Sequence, residues 1–455
     1  MGFTAWSALI GGLLLLMSLA SGWIHRLPVT SFSLYLLAGI IAGPWVLDLM
    51  DVDFAEHALS TARLTEMALV ISLFLTGLKL RVGFHGAMWR TAARLALPAM
   101  VLTVLGLCAV AHGVFGFPWP LALLLGAIAA PTDPVLASMV AVDDARDKDA
   151  LRLALSGEAG LNDGTALPFL ALALLMMPGP VSSADVASWA WRDFAWSLLG
   201  GLGIGFALGR ATGLLGVRLK ATSKDTAPSD FLALGLMALA YAAAQAVSAS
   251  SFLAAFAAGL GLRHAELRVV AQHPHPRLGQ AGEPLEHPPA EMLVNPNRVG
   301  PDDISHPATS AGLVVSDALS FGTTLERLMA AALVLLLGAA FARYWHMAGM
   351  TLALVLFVGV RPLSVYLSTI GSGIPLRRRL LIGWLGVRGI GSLNYLAFAM
   401  TCGLDGDDAA LVSHFAITTV VLSIIVHGIS TPPLLAWRQR RIERTGRNRH
   451  RPPDH

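Results

Sequence analysis

Charge is what this 455-residue sequence lacks: 13% of its residues are charged, against roughly 25% in a soluble domain. So few charges cannot cover the surface of a water-soluble chain of this length, which excludes a large soluble enzyme, a disordered chain and a nucleic-acid binder. Cysteine is nearly absent. Cys108 and Cys402 both fall inside apolar runs and read as small buried residues, so a disulfide framework and a thiolate metal site are excluded too. No Lys or Arg precedes the first apolar run, 5–24, and the first is Arg26, after it. A cleavable secretory signal wants its positive charge in front. The run therefore reads as a retained helix with its N-terminus outside.

Apolar residues make up 55% of the chain, and its mean hydropathy is +0.64. A spanning helix needs about 20 mostly apolar residues. The hydropathy pattern predicts thirteen, at 5–24, 29–48, 62–79, 93–112, 119–141, 152–177, 194–215, 230–248, 250–262, 325–343, 346–367, 380–401 and 409–436. The fold class is thus an all-α polytopic membrane protein. With the N-terminus outside, 26 of the 32 Lys and Arg fall on the cytoplasmic side and three, Arg63, Arg192 and Arg343, on the other. That asymmetry is the positive-inside rule with an odd number of spans. A Pro-rich stretch at 263–312 holds His264, His273, His275, His287 and His306. It reads as a solvated cytoplasmic connection of low order, with a pH-sensing or metal-binding role as the alternative. Residues 437–455 form a short basic tail suited to lipid headgroups.

Ionisable side chains at membrane depth are expensive and default to functional candidates. The fifth span contains Pro131-Thr132-Asp133-Pro134. Two prolines cannot continue a hydrogen-bonded helix, so the chain unwinds beside Asp133, which is tolerated only where it is covered or lines a cavity. The sixth span carries Glu158 and Asn162, on one face at i and i+4, and then Asp163. Asp163 lies about 16 Å along the helix from Arg152. A buried carboxylate of this kind is contested by a proton and a metal cation, which is all that exchange chemistry requires. The twelfth span carries Arg388 within Gly386-Val387-Arg388-Gly389-Ile390-Gly391. These glycines suit a broken helix, or else close packing, and the arginine needs Glu158 or Asp133 as its partner. Spans five and twelve run in opposite directions, and interrupted spans at matching places of inverted halves mark a transporter midplane site. Spans 1–6 and 8–13 are then the repeats, with the Gly-rich seventh as linker.

At these residues the sequence resembles the monovalent cation–proton antiporters, in the NhaP-like, sodium–proton exchanger branch. Pro131 to Val135, Glu158 with Asn162-Asp163, and Gly386 to Gly389 carry the likeness. Phe74 to Leu78, Glu326 and Gly338 match more weakly. The resemblance implies an NhaA-like fold of two inverted repeats with crossed discontinuous helices. It also implies a homodimer within a transmembrane domain at 1–436. Interface helices would lie at about 1–92 and 230–343, core helices at about 93–177 and 346–436, and a linker at about 194–215. Asp163 would bind cation and proton, Thr132 and Asp133 would add a carbonyl and a carboxylate, and Glu66 would approach the site. Glu158 and Arg388 would form a structural ion pair. Many relatives have Ser where this chain has Ala159; Ser156 or Thr165 would have to supply that hydroxyl. An Asn-Asp pair implies electroneutral exchange.

The expected function is therefore a non-enzymatic antiporter exchanging Na⁺ or K⁺ for H⁺ across a bacterial-type inner membrane in pH regulation. It would have no cofactor, the transported ions and membrane lipid being its partners. A sodium-coupled organic-solute symporter is the alternative, and it would need a roomy polar cavity. A channel and an intramembrane hydrolase are the remaining rivals, the latter unsupported by any Ser/His or paired metal-ligand spacing.

Overall fold

The computed structural model describes residues 11–12, 15, 29–83, 86–142, 144–223, 230–274, 288–294 and 304–449. The first expected span, 5–24, lies almost wholly outside them. The described residues are helical with no strand. The helices are α1 (Ser31–Ala42), α2 (Ala58–Lys79), α3 (Ala87–Phe115), α4 (Trp119–Ala129), α5 (Ala150–Met176), α6 (Ser183–Ser223) and α7 (Asp230–Ala246). They continue with α8 (Ser251–Gln272), α9 (Pro307–Tyr344), α10 (Met347–Ser368), α11 (Leu376–Trp384), α12 (Ile390–Thr401) and α13 (Gly406–Arg449). Seven of these are long and apolar enough to cross a membrane by themselves. The shorter α4, α11 and α12 are the pieces of the two interrupted spans.

Prolines accompany several of the helix deformations, although the π-segment Trp189–Trp196 in α6 has none. Pro98 sits in a π-turn, Leu95–Ala99, inside α3, and a second π-turn, Val355–Val360, precedes Pro362 in α10. A missing N–H and a crowded ring are the local cause of such widening. Between α4 and the short 3₁₀ turn Leu136–Met139 the chain is unwound, as Pro131 and Pro134 require. Side-chain caps fix several starts: Thr30 for α1, Asp149 for α5, Ser182 with Asp185 for α6, and Ser250 for α8.

Several expected boundaries are corrected. α8 runs ten residues past 262, to Gln272. Its charged Arg263 and Glu266 look like a helix end but are buried as an ionic cluster with Glu291. α9 begins at Pro307 rather than 325, since His306 caps it and its small residues Ala308, Ala311, Gly312 and Ala318 are buried. The connection expected at 263–312 is thus ordered at both ends, and its 288–294 piece docks through Glu291 on Arg263. The expected linker helix at 194–215 extends over Ser183–Ser223, and α13 passes through Pro432-Pro433 to Arg449. α1 stops at Ala42, six residues short. Cys108 is buried as expected, but Cys402, at the end of α12, is exposed.

Glycine brings helix backbones together where hydrocarbon offers no hydrophobic drive for association. A Cβ on Gly259 of α8 would lie 2.0 Å from the Phe74 carbonyl of α2, and one on Gly77 would lie 2.1 Å from the Phe256 carbonyl of α8. Gly205 and Gly209 seat α6 against α8 in the same way, each with a carbonyl 2.0 Å from its would-be Cβ. Gly39 and Gly338 do so for α1 and α9. α2 also packs on α12, and α5 on α3 and α4, so both broken spans are packed against neighbouring helices.

At the arginine-rich end, Asp149 caps α5 through the Leu151 N–H at 2.8 Å and accepts from both Arg438 Nη1 and Nη2 of α13. Burial pushes its carboxyl up, but the Arg438 guanidinium and the Leu151 N–H outweigh that and hold it below the usual range. A depressed carboxyl stabilises the fold above its unfolded pKa, and that stabilisation is lost as pH falls through the lowered folded value. Asp149→Ala is expected to cost about 0.5–2 kcal/mol through the lost cap. Its melting-temperature deficit in detergent should be full at neutral pH and shrink as acid titrates Asp149 in the parent protein.

Candidate functional site

The two unwound segments, 130–135 and 385–389, cross each other. Each frees backbone groups that water cannot reach, and the crossing satisfies them mutually. The Asp133 N–H donates to the Val387 carbonyl at 2.8 Å. The Asp133 carboxylate accepts from two helix starts: Oδ1 from Leu136 N at 2.9 Å and Oδ2 from Gly391 N at 3.0 Å. A carboxylate held by N–H groups at two helix N-termini compensates both partial positive ends at once. Gly389 is required here, because a Cβ would come within 2.2 Å of Leu136 and 2.8 Å of Asp133 Oδ2.

Asp163 projects from the middle of α5 and is 1% exposed. Both its carboxylate oxygens lack a hydrogen-bond partner among the described residues. The first turn of α12 lies against them, a Cβ on Gly391 being 3.4 Å from Oδ1. The Tyr395 hydroxyl donates to the Asp163 main-chain carbonyl at 2.7 Å, which locks α12 onto α5. Next to it, Asn162 Nδ2 donates to the Thr132 carbonyl at 2.9 Å and to Thr132 Oγ1 at 2.6 Å, while Asn162 Oδ1 has no partner among the described residues. The structure therefore gathers Asp163, Asn162, Thr132 and Asp133, but it spends the Thr132 carbonyl on Asn162. The oxygens with spare capacity belong to Asp163 and Asn162.

The expected pairing of Glu158 with Arg388 is corrected. Glu158 Oε1 accepts from Arg361 Nη2 of α10 at 2.5 Å, both side chains being buried. Arg388 donates through Nη1 to the Gly386 carbonyl at 3.0 Å, and its main-chain N–H goes to Ser423 Oγ at 2.7 Å. Gly386 lets the two guanidiniums approach: a Cβ there would meet Arg361 Nε at 2.9 Å, Arg388 Nη1 at 3.1 Å and Thr132 at 3.2 Å. The reason for the change is geometric. Unwinding at 385–389 turns the Arg388 side chain back on its own segment, and α10 delivers Arg361 in its place. Arg361 gives the same signal in the sequence, an arginine inside the expected span 346–367.

Glu66 is committed elsewhere, accepting from Tyr241 Oη at 2.6 Å and from Arg63 Nη1 at 3.2 Å. Ser156 accepts from Val142 N at 2.8 Å, and Thr165 donates to the Ala96 carbonyl at 2.7 Å. Both hydroxyls are engaged, Ser156 as an acceptor and Thr165 as a donor. A cavity of about 10 Å³ is lined by Thr76, Thr132, Ser156, Ala159 and Leu385. Among the described residues no group of three or more His, Cys, Asp or Glu is placed to hold a metal ion. Tyr395, Ser423 and His427, which matter to this geometry, carry no motif that marks them in the sequence.

Removing one partner of a buried ion pair leaves an uncompensated charge, at a cost of about 3–5 kcal/mol. Arg361→Ala is expected to lower folded yield and melting temperature by that mechanism. Fluorescence-detected size exclusion after a heat step reads it, and an unchanged profile would refute the Glu158–Arg361 pairing.

Comparison with known proteins bears on this geometry. Residues 12–276 and 308–437 match the family described as "Sodium/hydrogen exchanger, transmembrane". The chain is 24% identical over 440 residues to the K(+)/H(+) antiporter NhaP of Alkalimonas amylolytica, covering 94% of this chain and 66% of that one. It is 28% identical over 431 residues to the K(+)/H(+) antiporter NhaP2 of Shewanella sp. (strain MR-4), covering 93% and 65%. The chain thus spans just under two thirds of the length of these relatives. The solved structure of the sodium proton antiporter MjNhaP1 from Methanocaldococcus jannaschii superposes with a TM-score of 0.64 at 20% identity, covering 94% of this chain and all of that one. The fold is the one seen there, and the matched segments take in both broken spans and the helix of Asp163: the chain belongs to the sodium/hydrogen exchanger family.

Proposed function

We propose that this protein is a secondary antiporter that exchanges Na⁺ or K⁺ for H⁺ through competition of the two at Asp163. One observation carries the reading: among the described residues the buried Asp163 carboxylate has no hydrogen-bond partner on either oxygen, while Asp133 accepts two main-chain N–H groups and Glu158 is paired with Arg361 through one oxygen. Unpartnered carboxylate oxygens in a low dielectric demand either a proton or a cation. Asn162 Oδ1, also without a hydrogen-bond partner among the described residues, is a second oxygen for the ion. Thr132 positions Asn162, and Asp133 stabilises the crossing. The relatives are named for K⁺ and Na⁺, and both ions enter the proposal.

Charge balance supports an electroneutral cycle. Arg361 and Arg388 stand against Glu158, Asp133 and Asp163. Two cations and three carboxylates leave one negative charge, which a single proton or alkali ion cancels. The loaded forms are then equally neutral and cross with equal ease. A substrate cavity of the size an organic-solute symporter needs would run to hundreds of Å³; the space beside Thr132 is about 10 Å³.

The remaining features of the reading are a homodimer in a bacterial-type inner membrane, with N-terminus outside and C-terminus cytoplasmic. Its interface helices are those at 1–92 and 230–343, and the core at 93–177 and 346–436 moves against them. The protein is a transporter without catalytic residues or cofactor.

Asp163→Asn should abolish Na⁺- or K⁺-driven dequenching of a pH-gradient dye in everted vesicles, with the protein still folded. Wild-type amplitude in that variant would overturn the mechanism. In proteoliposomes, exchange by the parent protein should keep the same rate when a membrane potential of either sign is imposed. A rate that follows the potential would count against one-for-one exchange.

A further inference from the structure

The Val387–Arg388 peptide is gripped at both of its polar ends. Its carbonyl accepts the Asp133 N–H at 2.8 Å, and its N–H donates to Ser423 Oγ of α13 at 2.7 Å. Within an unbroken helix that N–H would find a carbonyl one turn back. The break removes the carbonyl, and a serine from another helix takes its place. Residue 423 is itself held. His427 Nδ1, one turn further along α13, lies 3.2 Å from Ser423 Oγ and 2.9 Å from the Ser423 carbonyl. Whichever tautomer is present, the ring exchanges a hydrogen bond with residue 423: Nδ1–H donates to the carbonyl, or bare Nδ1 accepts from the hydroxyl.

The imidazole has no freedom to leave. It is 2% exposed and lies between the rings of Phe357 of α10, 5.0 Å away, and Trp384 at the end of α11, 5.6 Å away. The Trp384 indole is pinned in turn to Ser430 of α13 at 3.0 Å. Beside the ring is a cavity of about 20 Å³ lined by Thr30, Leu136, Val140, Val387 and Thr431. Among the described residues Ser423 supplies the hydrogen bond to this N–H, and the neighbouring cavity leaves space beside the peptide.

We infer that Ser423 and His427 are positioning residues for cation exchange. They set the rotation of the Val387–Arg388 peptide, and through its carbonyl they set the backbone of Asp133, which carries Thr132 and so Asn162 into register with Asp163. Neither residue touches the transported ion. The inference rests on the exchange reading above and extends it to a helix that contributes no ion ligand.

The test uses the full-length protein in proteoliposomes, with proton release followed against Na⁺ and K⁺ concentration. His427→Ala and Ser423→Ala should each raise the apparent KM for the cation about tenfold, the factor equivalent to one hydrogen bond of ordinary net strength. The double variant should be no worse than Ser423→Ala alone, since both act through one bond. His427→Asn, whose amide stands where Nδ1 stood, should restore the parent KM. An unchanged KM in His427→Ala, multiplying effects in the double variant, or failure of His427→Asn to rescue would each overturn the inference. If Ser423→Ala does not accumulate, the His427→Ala and His427→Asn pair decides alone. Hydrogen–deuterium exchange of the 385–391 amides provides a readout independent of transport: His427→Ala should speed it and His427→Asn should not. A parent protein that releases no protons with either cation would count against the exchange reading, while the amide protection would still judge the positioning role.

Discussion

Breaking a helix inside a membrane creates a debt of unpaired N–H and C=O groups that no water settles. Here two breaks are crossed so that each supplies what the other lacks. Asp133 is the centre of that arrangement: its N–H reaches the opposite segment, and its carboxylate takes one N–H from each of the helices that restart beyond the breaks. Everything else in the core is arranged so that this crossing closes. Gly389 removes a side chain that would collide with it, and Ser423 covers an amide that the crossing leaves over.

A crossing so well satisfied makes the exceptions meaningful. Among the described residues Asp163 sits next to the restart of α12 with no hydrogen-bond partner on either carboxylate oxygen, and Asn162 directs its amide nitrogen to Thr132 while its oxygen has none. The contrast between the two aspartates is a division of labour. Asp133 is held by backbone donors and behaves as part of the scaffold, whereas Asp163 is the side chain proposed to take the ion. Two arginines and one glutamate nearby set the background, with Arg361 fastened to Glu158 and Arg388 folded back on its own segment.

The break in the fifth span is written in Pro131 and Pro134, because proline forbids the helix wherever the chain goes. The depth of Asp163 follows from counting residues at helical rise, and its neighbour Asn162 from adjacency. Helix ends were less legible. Arg263 and Glu266 look like a passage into water because charges in an apolar chain usually are, and the pairing of Arg263 with Glu266 and Glu291, and of Glu266 with Arg81, lets α8 continue past them. The start of α9 was hidden for a related reason: Ser, Thr, Gly and Ala from 307 onward are neither clearly apolar nor clearly solvated until α2 and the 288–294 segment are placed against them. The partner of Glu158 was misread because two arginines offered the same signal, and sequence distance gives no preference between them.

The sequence by itself determined the solvent this protein lives in, the all-helical class of its fold, the break in the fifth span, and the depth of the acid in the sixth. Each of those follows from local chemistry: hydropathy, the missing N–H of proline, 1.5 Å of rise per residue. Which groups face one another across the crossing was decided only by tertiary structure. The pairing of Glu158 with Arg361, the diversion of Glu66 to Tyr241, and the grip of Ser423 and His427 on a single peptide all join residues far apart in the chain. Such contacts depend on how helices rotate and cross, and a rotation of one residue about a helix axis, 100°, is enough to exchange one partner for another.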